Sequence, residues 1–110
     1  MTATGTLDRL AALIRERRLA ISDASYTRQL LDGGAETCAK KFGEEAVETV
    51  IAGVGADDQA LVREAADAVY HLLVLLEVRG VGLSEVLGEL DRRMGTSGLV
   101  EKASRGGDKA

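Results

Sequence analysis

Two groups of carboxylates dominate the chemistry this chain can offer. Glu44-Glu45-Ala46-Val47-Glu48 is followed, beyond a glycine-containing break, by Glu64-Ala65-Ala66-Asp67. On a helix, Glu44 and Glu48 lie one turn apart, as do Glu45 and Glu48, and Glu64 and Asp67. Like charges at such spacings destabilise a helix by about 0.2–0.5 kcal/mol per pair, so helix propensity does not ask for them. Carboxylates converging from two adjacent helices either raise one another's pKa values or recruit cations. Carboxylate oxygens are the preferred ligands of Mg²⁺, and bound cations would let an acidic protein hold a phosphate-bearing substrate.

The elements that must carry these residues are helical. The chain lacks proline, is 3% aromatic and draws its 45% hydrophobic content mostly from Ala, Val, Leu and Ile. That composition favours an all-α protein, a bundle of four to five helices. Thr6 is placed to cap a first helix with Leu7, Leu10, Leu13 and Ile14 on one stripe, fading near Arg18. Tyr26 to Leu31 forms a short helix or loop, and Asp32-Gly33-Gly34 turns the chain. A third element runs from about Glu36 to Ile51, stopped by Gly53 and Gly55, with Asp57 or Asp58 capping the fourth. The fourth spans about Gln59 to Arg79, and Ser84 opens a fifth that Gly95 closes. Residues 1–95 read as one domain and residues 96–110 as a C-terminal tail.

Either acidic cluster alone is common on a solvated helix face. Two features join them. In an antiparallel hairpin, Glu48 and Glu64 stand at similar distances from the connecting turn, which brings the clusters side by side. The side of the fourth helix bearing Glu64, Asp67 and His71 also continues into Val74, Leu75 and Val78, so the acids border a partly enclosed space. Val47, Val50, Ile51 and Val54 share a face of the third helix, with the glutamates on its flank. Leu61, Val62, Ala65, Val69, Leu72, Leu73 and Leu76 make the core stripe of the fourth. The all-round apolar character of Leu72 to Val78 exceeds what neighbouring short helices can cover, and predicts a homodimer.

Several function classes are excluded. A net charge of −4 without a basic stripe argues against nucleic-acid binding. The apolar run Leu72 to Leu76 falls far short of the roughly 20 residues of a membrane span, and the basic residues among positions 9–18 leave no secretory apolar region. The single Cys38 cannot form an internal disulfide and fits a reducing, cytoplasmic location. It reads as a small core residue, and His71 as a packed one rather than a ligand.

Ser25-Tyr26-Thr27, Asp32-Gly33-Gly34, Lys40-Lys41-Phe42-Gly43-Glu44-Glu45-Ala46-Val47-Glu48 and Glu64-Ala65-Ala66-Asp67-Ala68-Val69-Tyr70-His71-Leu72-Leu73-Val74-Leu75-Leu76 form a recognisable series. Over roughly residues 6–105 it strongly resembles the phosphoribosyl-ATP pyrophosphatase family, within the all-α nucleoside triphosphate pyrophosphohydrolases related to MazG and the dimeric dUTPases. The resemblance implies Mg²⁺-dependent hydrolysis of 1-(5-phosphoribosyl)-ATP to 1-(5-phosphoribosyl)-AMP and pyrophosphate, the second step of L-histidine biosynthesis. It implies Glu45, Glu48, Glu64 and Asp67 as metal ligands and Glu44 as either a further ligand or, by preference, the base. Lys40 and Lys41 are placed to meet phosphate oxygens, against the alternative of simple pairing with Glu44 or Glu45. Tyr26 and Arg28 are substrate or interface contacts by the same likeness. The segment from Ser97 to Arg105 resembles the end of some relatives and would close over the substrate.

Competing readings use the same residues differently. A housecleaning pyrophosphohydrolase acting on free nucleotides would keep the carboxylates. A di-iron bundle would want Glu-x-x-His on two helices, and this chain has one histidine. A non-catalytic helical interaction module would lose nothing on removal of Glu48 and Asp67.

Overall fold

The computed structural model describes residues 4–95; the predicted tail, 96–110, lies outside them. Five helices follow one another: α1 (Thr4–Leu19), α2 (Tyr26–Asp32), α3 (Gly34–Gly53), α4 (Asp58–Val78) and α5 (Leu83–Met94). No strand occurs among the described residues. The all-α expectation holds, and each helix begins and ends within a few residues of where the sequence placed it.

Local chemistry explains the boundaries. Ser25 caps α2, its Oγ accepting from the Arg28 amide, and Asp23 in turn accepts from the Ser25 amide. Asp57 caps α4 through the Gln59 and Ala60 amides. α4 ends in a Schellman turn: Gly80 adopts φ +72°, its amide reaches Glu77 O, and the Val81 amide reaches Leu76 O. The Glu85 carboxylate accepts from the Gly82 amide at the start of α5. One boundary differs. Thr6 lies inside α1, which begins at Thr4, and its hydroxyl accepts from Arg9 instead of capping.

α3 and α4 form the antiparallel hairpin and share the most extensive helix pairing. α1 lies against α4 and α2, and α2 touches α3 and α4. The buried core gathers Ile14 of α1, Leu30 and Leu31 of α2, Cys38 of α3, and Leu73 and Val74 of α4. Cys38 is the core residue its sequence position suggested: its thiol donates to Leu30 O at 3.2 Å, and burial pushes its pKa up.

The core corrects the expected orientation of the hairpin. Val47, Val50, Ile51 and Val54 face outward, as do Val62 and Val69, with Val54 84% exposed. The side of α3 turned inward carries Cys38 and Glu45. Leu72 to Val78, from which a dimer was predicted, is buried or half-buried inside the single protomer by the remaining helices. Helical periodicity placed Leu72, Leu73 and Leu76 of the α4 core stripe correctly, but not its Val62 and Val69, nor which side of α3 meets the core. The reason is that α1 and α2 cover only the end of the hairpin near Cys38 and Leu73.

Candidate metal centre

The acids meet where α3 and α4 run side by side. Glu45 arises from the inward side of α3 and is only 8% exposed, an unusual position for a carboxylate. Glu48 projects one turn later at the surface, and Glu64 is half-buried on α4. One carboxylate oxygen from each of Glu45, Glu48 and Glu64 lies within 4.8 Å of the other two. The hairpin register anticipated from the sequence therefore brings these three together.

Electrostatics at this cluster are only partly compensated, by Lys41 beside Glu45. Glu64 Oε1 is buried without a hydrogen-bond partner. Desolvation pushes the Glu64 carboxyl above its ordinary pKa, a hydrogen bond with Glu48 adds to this, and the charges of Glu48, Asp67 and Glu45 push it further. A buried, orphaned carboxylate oxygen on a residue crowded by other carboxylates is an environment that a divalent cation relieves. The donor set, all oxygen and all anionic, suits Mg²⁺ or Mn²⁺ rather than a thiolate-seeking metal.

The remaining candidates stand around this triad. Asp67 is exposed and lies close enough for its charge to raise Glu64. Glu44 is exposed at the rim, 3.6 Å from Lys41 Nζ. The same ammonium lies 3.5 Å from Glu45, so Lys41 makes the intrahelical pairing named as its alternative. The Tyr26 phenol, followed by the Glu44 and Glu45 carboxylates, raises the Lys41 pKa. Lys40 is exposed on the adjacent side of α3. The structure thus separates two neighbouring lysines that the sequence treated alike.

Beside the acids sits a small aromatic cluster. His71 is buried, with the Tyr26 and Tyr70 rings edge-on to it at 6.2 and 4.8 Å between centroids. Tyr70 in turn hydrogen-bonds the Thr27 hydroxyl. Burial lowers the His71 pKa against the opposing pull of Glu45, as befits a packed neutral imidazole. Arg28 is not near the acids: its guanidinium donates to Arg17 O and Ala20 O at the end of α1 and pairs with Asp32. It ties α2 to α1, a role the motif it belongs to did not reveal.

Thr49 is the residue the sequence analysis passed over. Its hydroxyl lies 2.8 Å from Glu45 O and 2.9 Å from Glu64 O, spanning the two helices at the level of the acids. The signal was present: Thr49 follows Glu45 by one helical turn and shares its inward face. A groove of about 500 Å³ lies elsewhere, between α1 and the α4–α5 turn, lined in part by Ala11, Leu19, Leu76 and Glu77 and by none of the acids discussed.

Comparison with known proteins agrees with the layout. Residues 7–94 match the family model described as phosphoribosyl-ATP pyrophosphohydrolase. A phosphoribosyl-ATP pyrophosphatase of Rhodobacter capsulatus is 57% identical over 100 residues, covering 91% of this chain and 97% of the relative. The phosphoribosyl-ATP pyrophosphatase of Cereibacter sphaeroides is 56% identical with the same coverage. Phosphoribosyl-ATP pyrophosphatase 1 of Bradyrhizobium diazoefficiens is 58% identical, covering 91% of this chain and 94% of that protein. Because the match takes in nearly every described helix and nearly the full length of these relatives, the chain belongs to the phosphoribosyl-ATP pyrophosphohydrolase family.

Proposed function

We propose that this chain hydrolyses 1-(5-phosphoribosyl)-ATP to 1-(5-phosphoribosyl)-AMP and pyrophosphate, the second step of L-histidine biosynthesis, at a Mg²⁺ centre held by Glu45, Glu48, Glu64 and Asp67. Its family and the names of its relatives support the substrate. The observation that carries the metal reading is the buried Glu64 Oε1 without a partner, on a residue whose carboxylate gathers with those of Glu45 and Glu48 within 4.8 Å. When bound, the cation supplies positive charge for the phosphate oxygens and acidifies water.

The protein's own groups do the rest. Glu44, exposed at the rim of the cluster, takes the proton from the attacking water. The oxygens of the leaving pyrophosphate meet Lys40, which is already open to solvent, and Lys41, which releases Glu44 and Glu45 when phosphate approaches. Tyr26, half-exposed beside Lys41 and His71, forms part of the wall against which the nucleotide rests.

The outward valines imply a second copy. Val47, Val50, Ile51 and Val54 share an exposed apolar stripe of α3, and Val62 and Val69 are exposed on α4. A homodimer buries these side chains and encloses the site. No described helix is long and apolar enough to cross a membrane, and the lone free thiol suits a cytoplasmic enzyme.

Pyrophosphate release from phosphoribosyl-ATP, measured with and without Mg²⁺ and against dUTP, dCTP and ATP, tests the reading. Mg²⁺-dependent turnover of phosphoribosyl-ATP alone, lost in Glu48→Gln and Asp67→Asn, is the expected result. Turnover of the free nucleotides instead would move the chain to the housecleaning branch. A folded protein inactive on all four would remove the catalytic reading.

A further inference from the structure

Three carboxylates whose oxygens gather within 4.8 Å of one another push their helices apart unless something holds the backbones together. At this level of the hairpin the holding group is Thr49. Its single hydroxyl proton is directed at two main-chain carbonyls, Glu45 O at 2.8 Å and Glu64 O at 2.9 Å. The first contact is the back-bond that a helical threonine commonly makes to the preceding turn. The second crosses from α3 to α4. Both accepting carbonyls belong to residues of the acid triad, and Thr49 directly follows the third, Glu48.

We propose that Thr49 is a positioning residue for the metal centre: its hydroxyl clamps the main chain of Glu45 to that of Glu64 and so sets the spacing of the carboxylates that receive the cation. This rests on the cation reading of the triad. The physical basis is the difference between a hydrogen bond and a van der Waals contact. An oxygen approaches a carbonyl at about 2.8 Å, whereas a methyl carbon in the same place stands off at roughly 3.5 Å. Replacing the hydroxyl by a methyl therefore parts α3 and α4 by a good fraction of an ångström at the height of the acids. The carboxylates already repel one another and follow their backbones outward.

The clamp acts on the same residue that carries the unsatisfied oxygen, Glu64. Thr49 ties the Glu64 residue at its main-chain carbonyl, while Oε1 of the side chain stays without a partner. Groups that orient metal ligands without touching the metal commonly change affinity by about 10–100-fold when removed.

Mn²⁺ titration of the full-length chain, without nucleotide and followed by electron paramagnetic resonance of the free ion, tests this in wild type, Thr49→Val and Thr49→Ser. Thr49→Val preserves the side-chain volume and lacks the hydroxyl, so Mn²⁺ affinity is expected to fall about tenfold or more. Thr49→Ser keeps the hydroxyl without the methyl and is expected to bind within about twofold of wild type, even where its melting temperature drops. A purely structural role would track melting temperature instead, with Thr49→Ser weakened as much as Thr49→Val. That result, or a Thr49→Val protein that binds like wild type, would overturn the clamp while leaving the metal centre standing. A wild-type chain that takes up no Mn²⁺ would remove the cation reading and the clamp with it.

Discussion

The α3–α4 hairpin has two faces that each break the usual rule of protein surfaces, in opposite directions. On one, a glutamate is 8% exposed and a neighbouring carboxylate oxygen is buried with no partner. On the other, Ile51 and Val54 are 63% and 84% exposed. A single protomer thus buries charge and exposes hydrocarbon on the same pair of helices. Burying an unpaired charge and leaving a contiguous apolar face in water are both unfavourable. On the proposed reading the two faces take different partners: a cation for the acids and a second copy of the chain for the valines.

The sharpest way to break that comparison is to satisfy the acid face artificially. Glu64→Gln removes charge from the crowded triad. It is expected to raise the melting temperature of the metal-free protein while lowering phosphoribosyl-ATP turnover by about a hundredfold or more, as loss of a group supporting transition-state charge does. Calorimetry and a pyrophosphate assay on the same preparation check the opposite signs. A variant both less stable and fully active would show that Glu64 is an ordinary structural acid.

The apolar face is tested by charging it. Ile51→Glu is expected to leave the protomer folded and to convert a dimer into a monomer by sedimentation, because Ile51 contributes nothing to the protomer's own core. Leu73→Ala, by contrast, empties the buried core and is expected to cost about 2–5 kcal/mol of stability. If the two substitutions destabilise equally, the outward valines are packed in some way the single protomer does not display.

The lysines sharpen the electrostatic side. Lys41 is shared between Glu44 and Glu45, whereas Lys40 is exposed on the adjacent side of α3. Lys40→Met is expected to raise KM for the substrate severalfold with Mn²⁺ affinity unchanged. Lys41→Met is expected to tighten Mn²⁺ binding, since a competing cation leaves the ligands. Unchanged KM in Lys40→Met would return that residue to the solvated surface.

The smallest effect lies on α5. Glu89 is hydrogen-bonded by Arg92 and Arg93, which hold its pKa down to about 2. A carboxylate with a depressed folded pKa contributes stability that is present above its unfolded value and lost as pH falls through the folded one. The Glu89 contribution therefore disappears between about pH 4.5 and about pH 2. Circular dichroism of Glu89→Gln should show a weaker loss of helicity across that window than wild type. Glu89 is an acid already satisfied by its own helix, as Glu64 is not.

Much of this is readable in the amino-acid sequence itself. Capping residues and glycines placed the helix ends, and counting residues from the turn brought Glu48 level with Glu64. Both follow from local geometry, which short sequence separations specify well. Thr6 was misplaced because a threonine near a helix start caps only if the chain leaves the helix there, and here helix continues to Thr4. Arg28 belongs to a motif that suggested a substrate or interface contact, and its guanidinium meets the carbonyls ending α1, a partner set by how two helices meet.

The amino-acid order by itself determined that the chain is helical, where the helices break, which residues share a stripe, and that carboxylates from α3 and α4 stand together. The folded arrangement alone decided which stripe looks inward. It turned Glu45 and Cys38 toward the interior and the valines away, separated Lys41 from Lys40, and put Thr49 between the carbonyls of Glu45 and Glu64. Periodicity is a property of one helix, whereas the direction a stripe faces depends on which neighbours arrive to cover it. Here α1 and α2 cover only one end of the hairpin, and the rest of its apolar surface is left facing out.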